Sequence, residues 1–239
     1  MLLSLIFGGQ ADLTQAIVYI ISALTVIFLT MPVHEFAHAF AAYKLGDGAQ
    51  KYAGRLTLNP FAHIDYIGAL CILVFGFGWA KPVQVNQHLF KRPKLDMALT
   101  GFAGPLSNLI VAFISTFFYC LFLNLYVSTG SYNFITGTFE GNVIFEYIYY
   151  FFSFIALINI SLAVFNLIPI PPLDGSRVLF AVLPDRIYYK VMQYEQYLYF
   201  ILIALIATNV LDGPLAAAQY VVSGVFENIV SLPLKLIFG

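Results

Sequence analysis

The sequence predicts an integral-membrane protein that is mainly α-helical, a polytopic bundle of about four to six transmembrane helices with a small β or re-entrant segment. Three observations carry this. Of 239 residues, 61% are hydrophobic and only 10% are charged, whereas soluble domains carry about 25% charged residues. The apolar residues come in runs near the length of about 20 residues that a helix needs to cross a bilayer. The Lys and Arg residues collect in some of the connections between these runs and are missing from others. The chain length fits a single domain over 1–239 rather than a string of domains. A net charge of −1 offers no basic surface for nucleic acid. Cys71 and Cys120 form no CxxC and read as small buried hydrophobes.

The elements follow in order. MLLSLIFGGQ, at 1–10, lacks the basic start of a signal peptide and is too short to span; it is expected at the interface or against the bundle. Asp12 to Thr30 reads as the first span, with Asp12 and Thr14 as capping residues. Pro32 is expected to bend the helix, which then runs to Tyr43 or Leu45 and stops at Gly46-Asp47-Gly48. Residues 49–94 break the pattern. Arg55 to Leu58 and Pro82 to Val85 alternate as strands do, with Pro82 pointing to an edge. Between them 66–78 is apolar and studded with glycine, so it reads as a short span or a re-entrant connection. Leu95 to Leu125 is the next span, and its Gly101, Gly104 and Ser107 allow close helix packing. Ser128 to Asn142 reads as a polar loop, Val143 to Leu167 as a span, and Tyr197 to Leu211 as the final clear span. The tail from Pro214 to Leu236 reads as a further helix, either spanning or surface-lying.

Lys44, Lys51, Arg55, Lys81, Lys91, Arg92 and Lys94 fall between the first two major spans, and Arg177, Arg186 and Lys190 two crossings later. The loops at 126–142 and 208–213 hold no Lys or Arg. By the positive-inside rule the former regions face the cytoplasm.

The chemistry is concentrated in MPVHEFAHAFAAYKL, at 31–45. His34 and His38 are four apart, on one face of a helix, so both imidazoles can reach one metal ion. Glu35 stands beside that face, where it can take a proton from a water. The residues from Ala16 to Thr30 include no acidic or basic side chain, so this trio at the end of such a run is costly unless paired or ligating. Asp174 is the best third ligand. It sits in IPIPPLDG, where Pro169, Pro171 and Pro172 forbid a regular helix and unwound backbone can build an ion site. Two His and one carboxylate make a recognised catalytic zinc set. The plainer reading makes Asp174 a cap for the helix that follows.

HEFAH, NPFAHID, GFAGPLSN and NLIPIPPLDG, in this order and spacing, resemble the site-2 protease family of intramembrane zinc metalloproteases. The similarity covers about 15–185, the catalytic core, with C-terminal helices at about 196–236 outside it. The resemblance implies one Zn2+ per chain on His34, His38 and Asp174, with Glu35 as catalytic base. It implies that Asn166 holds substrate or stabilises the oxyanion. It also implies a membrane-spanning protein as substrate, cleaved in regulated intramembrane proteolysis, with the active site towards the cytoplasm. The loop between the middle spans is too short for a PDZ domain, which needs about 50 residues or more. A minimal, core-only member is therefore expected, gated by its core, by a regulatory membrane partner or by a homo-oligomer. The run Pro82, Val83, Gln84, Val85 and Asn86 is expected to take an extended substrate by strand addition. Asn59 is expected near the site as a substrate-binding residue, His63 as an interfacial residue rather than a ligand, and His88 in solvent.

Two rival readings remain at this stage. A zinc or proton-coupled membrane transporter also wants His and Asp inside a bundle, but needs no Glu between the histidines. A catalytically inactive family member would keep the same fold. Four histidines are too few for a membrane di-iron oxygenase, and no Ser–His pair offers a serine protease.

Overall fold

The computed structural model describes residues 13–75, 78–133, 138–184, 186–187 and 194–238. The expectations for 1–10 and for Asp12 lie outside these residues.

Helix α1, Leu13–Thr25, continues through a π-helical turn, Val26–Thr30, into α2, Met31–Leu45. Together they make one apolar rod of 33 residues, long enough to cross a bilayer. The turn follows from Pro32, which has no N–H and whose ring crowds the carbonyl four residues back. A widened turn relieves this, and the Met31 N–H bonds the Val26 carbonyl five residues back. Where a bend is expected of Pro32, the structure has this π-helical turn, one turn ahead of His34.

After the short α3, Ala49–Tyr52, the chain forms α4, Tyr66–Phe75. Its 10 residues extend about 15 Å, half the hydrocarbon thickness of about 30 Å, so α4 does not span. The chain then returns against it. A Cβ at Gly68 would lie 1.9 Å from the Trp79 carbonyl oxygen, and one at Gly78 would lie 2.1 Å from the Gly68 oxygen. Only glycines allow this backbone-to-backbone contact. Helix α4 is thus too short to span, which sets aside the short-span alternative for 66–78.

The β part is corrected. Neither 55–58 nor 82–85 forms a strand. Among the described residues, pairing is confined to a hairpin of β1, Ser131–Asn133, and β2, Thr138–Glu140, inside the stretch read as polar loop. Alternation predicts extended backbone, but a ladder needs a neighbouring strand. Along 81–86 that neighbour is replaced. The Lys81 N–H donates to the His63 carbonyl at 2.8 Å, the Gln84 carbonyl accepts from the Gln50 amide at 2.8 Å, and the Asn86 N–H donates to the Asp47 carboxylate at 2.9 Å.

The remaining helices are α5, Pro93–Thr129, α6, Val143–Asn166, α7, Asp174–Val182, α8, Glu195–Ala207, and α9, Asp212–Phe238. Among the described residues four segments are long and apolar enough to cross a membrane: Leu13–Leu45, α5, α6 and α9. This corrects the final span. Helix α8 has 13 residues, about 20 Å, and the 27-residue α9 is the last long apolar helix instead.

The core joins α1, α4 and α6. Tyr19 sets its ring edge-on to Phe154 at 5.3 Å and donates its hydroxyl to the Ile72 carbonyl at 3.0 Å, amid Val26, Met31 and Ile158. Helix α5 packs most extensively on α6 and also meets α2 and α7. Its buried Thr100 and Thr116 hydroxyls bond the carbonyls four residues earlier, at 2.8 and 2.9 Å, which satisfies them without a partner helix. Large apolar side chains such as Leu29, Ile110 and Phe200 are exposed on the outer faces, as lipid contact requires.

Candidate metal centre

Helical spacing sets His34 and His38 one turn apart on the inner face of α2, with ring centroids 4.7 Å apart. The third group arrives from the proline-rich turn. Asp174 is the first residue of α7, and its predecessor Leu173 is the cap, with no side-chain capping bond. The Asp174 carboxylate instead faces the imidazoles, which removes the capping reading. His34 Nε2 and His38 Nε2 are 3.0 Å apart, and Asp174 Oδ2 lies 3.4 and 3.1 Å from them. Ligand atoms on a tetrahedral zinc with bonds of about 2.0–2.1 Å stand about 3.3 Å apart. The three atoms therefore form a near-equilateral triangle of the right size for one face of a zinc site.

The surroundings support cation binding. His38 Nδ1 lies 2.7 Å from the Thr100 carbonyl of α5. A carbonyl only accepts, so Nδ1 carries the proton and Nε2 offers its lone pair to the triangle, as metal-ligating histidines do. Burial raises the Asp174 carboxyl, but His38 and His34, in their protonated forms, outweigh that and hold it well below the usual carboxylate range. Asp174 Oδ1 lies 3.7 Å from the Arg177 guanidinium. Space for an ion comes from Gly104 of α5, where a Cβ would stand 2.2 Å from His38 Nε2 and 2.6 Å from His34 Nε2.

Glu35 is buried beside His34, at 6% exposure, and takes no part in the triangle. Its Oε2 accepts a hydrogen bond from the Val83 N–H at 3.1 Å. A cavity of about 420 Å³ opens onto the triangle and Glu35, and its wall includes Pro82, Val83, Asn108 and Asn166. A second cavity, of about 320 Å³, lies between α6 and α9 and holds none of the three triangle residues.

The other expected residues divide. Asn166, the last residue of α6, is half-buried in the cavity wall. Pro82 and Val83 reach it, whereas Gln84, Val85 and Asn86 lie outside the wall. Asn59 is exposed and outside it too; its Oδ1 accepts from the Phe61 N–H at 3.1 Å and opens the turn Pro60–Ala62. His63 stands apart from the triangle, fully buried, with Nε2 2.9 Å from the Thr57 carbonyl. His88 is exposed. Three participants escaped the sequence reading. Gly104 reads there only as a packing glycine, Thr100 contributes a backbone carbonyl that no residue type announces, and Asn108 lies one turn beyond Gly104. That one-turn spacing is the signal by which Asn108 could be found. It puts Asn108, only 2% exposed, on the face of α5 that meets the imidazoles.

The profile of peptidase family M50 matches residues 21–208, most of the chain. The chain is 43% identical over 190 residues to "Putative zinc metalloprotease YwhC" of Bacillus subtilis (strain 168), covering 80% of each protein. It is 26% identical over 212 residues to "Putative zinc metalloprotease Rip2" of Mycolicibacterium smegmatis, covering 84% of this chain and 74% of the relative. It is 30% identical over 146 residues to "Putative zinc metalloprotease MJ0611" of Methanocaldococcus jannaschii, covering 61% and 62%. No solved structure matches the chain. With the family profile and the 43% relative both covering most of its length, the chain belongs to peptidase family M50, the site-2 protease family of membrane zinc metalloproteases.

Proposed function

We propose that this chain is an intramembrane metalloendopeptidase. It hydrolyses peptide bonds in or near the transmembrane segments of membrane proteins and so performs regulated intramembrane proteolysis. The observation that carries the reading is the triangle of His34, His38 and Asp174 beside a buried carboxylate that faces the same cavity.

His34, His38 and Asp174 hold the ion, one per chain. When bound, zinc supplies Lewis acidity to the scissile carbonyl and to the attacking water. Glu35 is the base: its carboxylate accepts the proton that the water loses and passes it to the departing amine. The Val83 N–H holds Oε2, and Oε1, which accepts no bond among the described residues, is left for that exchange. Asn166 and Asn108 line the cavity wall, where an N–H₂ group can meet the negative charge that develops on the carbonyl oxygen.

A membrane substrate arrives as a helix with its amides already bonded, so it needs replacement partners once unwound. Pro82 and Val83 lie at the cavity and are the end of 82–86 where an extended substrate docks. The distribution of Lys and Arg supports a cytoplasmic position for this end of the bundle. A transporter would have no use for a carboxylate tied to the Val83 amide. The test is crosslinking in a Glu35→Gln background, with single cysteines along Val83 to Asn86 and one near the cut site of a single-span substrate. Crosslinks at Val83 and its neighbours are expected. Crosslinks confined to distant helices would contradict the docking geometry.

A further inference from the structure

Residues 82–86 carry the backbone amide that donates to the Glu35 carboxylate, yet they form no sheet that would hold them in place. What holds them is a buried polar corner at the end of α2. Gly46, at φ +126°, reverses the chain there and turns Asp47 back under the helix, where the Asp47 N–H bonds the Ala42 carbonyl at 2.9 Å. Asp47 is fully buried and Gln50 nearly so. Asp47 Oδ2 accepts from the Asn86 N–H at 2.9 Å and from the Gln50 side-chain amide at 2.8 Å, while Oδ1 accepts from the Ala49 N–H at 3.1 Å. The same Gln50 amide donates to the Gln84 carbonyl at 2.8 Å.

The directions of these bonds alternate along the chain. Gln84 and Asn86 turn their backbone groups to the Asp47–Gln50 corner, and Val83 turns its N–H to Glu35. In extended backbone, alternate residues present their polar groups to opposite sides. Fixing 84 and 86 on one side therefore fixes 83 on the other. A charged acceptor is stronger than a neutral one, and a buried carboxylate that gathers three N–H groups does not release them easily.

We propose that Asp47, with Gln50, is a positioning residue for the reaction. It anchors 84–86 so that the Val83 N–H orients the Glu35 carboxylate in the cavity. The inference rests on the protease reading for its consequence in catalysis, but not for the anchoring itself. Asp47 lies outside the cavity wall and outside the ligand triangle, so its loss leaves the metal in place.

The experiment is hydrogen–deuterium exchange by mass spectrometry on the full, zinc-loaded chain in lipid nanodiscs. It compares wild type, Asp47→Ala, Asp47→Asn and Gln50→Met, with zinc content measured on each. Asp47→Ala is expected to speed exchange over 83–86 by about ten-fold or more, with peptides of α1, α2 and α5 unchanged and zinc at the wild-type level. Asp47→Asn retains an acceptor oxygen and should restore much of the protection. Gln50→Met frees the Gln84 carbonyl and should speed exchange of the Val83 N–H more than that of the Asn86 N–H, which Asp47 still holds. Unchanged exchange over 83–86 in Asp47→Ala would overturn the proposal. So would loss of zinc with faster exchange across all helices in Asp47→Asn and Gln50→Met, because that marks a merely structural role. Turnover of β-casein, an unfolded probe, separates the two claims. A wild-type chain that fails to hydrolyse it removes support from the protease reading and leaves the exchange result standing. With turnover present, Asp47→Ala should lower kcat at least about ten-fold and Asp47→Asn should recover part of it.

Discussion

Gly104 has no side chain, and the metal centre has no room for one. A Cβ there would overlap His38 Nε2 and His34 Nε2, at 2.2 and 2.6 Å. Neither imidazole can retreat, since His38 is tied to the Thr100 carbonyl and both rings are buried. Gly104→Ala should therefore weaken zinc binding at least about ten-fold while the helices still pack, because overfilled sites strain rather than unfold. Equilibrium dialysis with zinc checks it, and wild-type affinity would contradict it. Asp174→Asn keeps the shape of the third ligand and removes its charge, so zinc retention after dialysis should fall well below wild type. At this scale the sequence spoke clearly wherever chemistry resides in residue type and spacing. His34, Glu35, His38 and Asp174 could all be picked out before any fold was known. Thr100 could not, because its contribution is a backbone carbonyl, and Asp47 read as a helix stop because its three partners are set by folding.

At the scale of elements, the packing of α4 against the returning chain sets the height at which Val83 meets Glu35. Gly68 permits that packing, with its Cβ direction only 1.9 Å from the Trp79 oxygen. Gly68→Ala should cost about 1–3 kcal/mol of stability. It should also shift 79–83 away from α2, lowering turnover while zinc stays bound. Thermal unfolding in detergent together with zinc content checks this; an unchanged midpoint and unchanged turnover would contradict it. The α-helical spans were largely readable because apolar length is a strong signal. The β expectation failed because alternation in 55–58 and 82–85 encodes extended backbone and nothing more. Whether such backbone joins a ladder depends on neighbours distant in sequence, and here Asp47, Gln50 and the His63 carbonyl took that role. The span expected at Tyr197 to Leu211 was misdrawn for a related reason, whereas the further helix expected from Pro214 to Leu236 is present as α9. Apolar character continues from Tyr197 into α9, and only the break after Ala207 assigns the long helix to Asp212–Phe238.

For the whole molecule, the bundle carries polar chemistry to one end of helices whose outer faces are apolar. Helices α2, α5 and α7 each supply one side of the centre: the imidazoles, the Thr100 carbonyl with the Gly104 gap, and the Asp174 carboxylate. We propose that this end hydrolyses membrane-protein substrates with Glu35 as base. The most direct measurement co-reconstitutes the full chain with a panel of single-span substrates and follows cleavage by wild type and Glu35→Gln, with zinc content determined for both. Equal zinc is expected in the two proteins, with cleavage by wild type that a zinc chelator stops and a loss of rate of about 10²-fold or more in Glu35→Gln. Cleavage that survives Glu35→Gln, or that continues after zinc is removed, would contradict it.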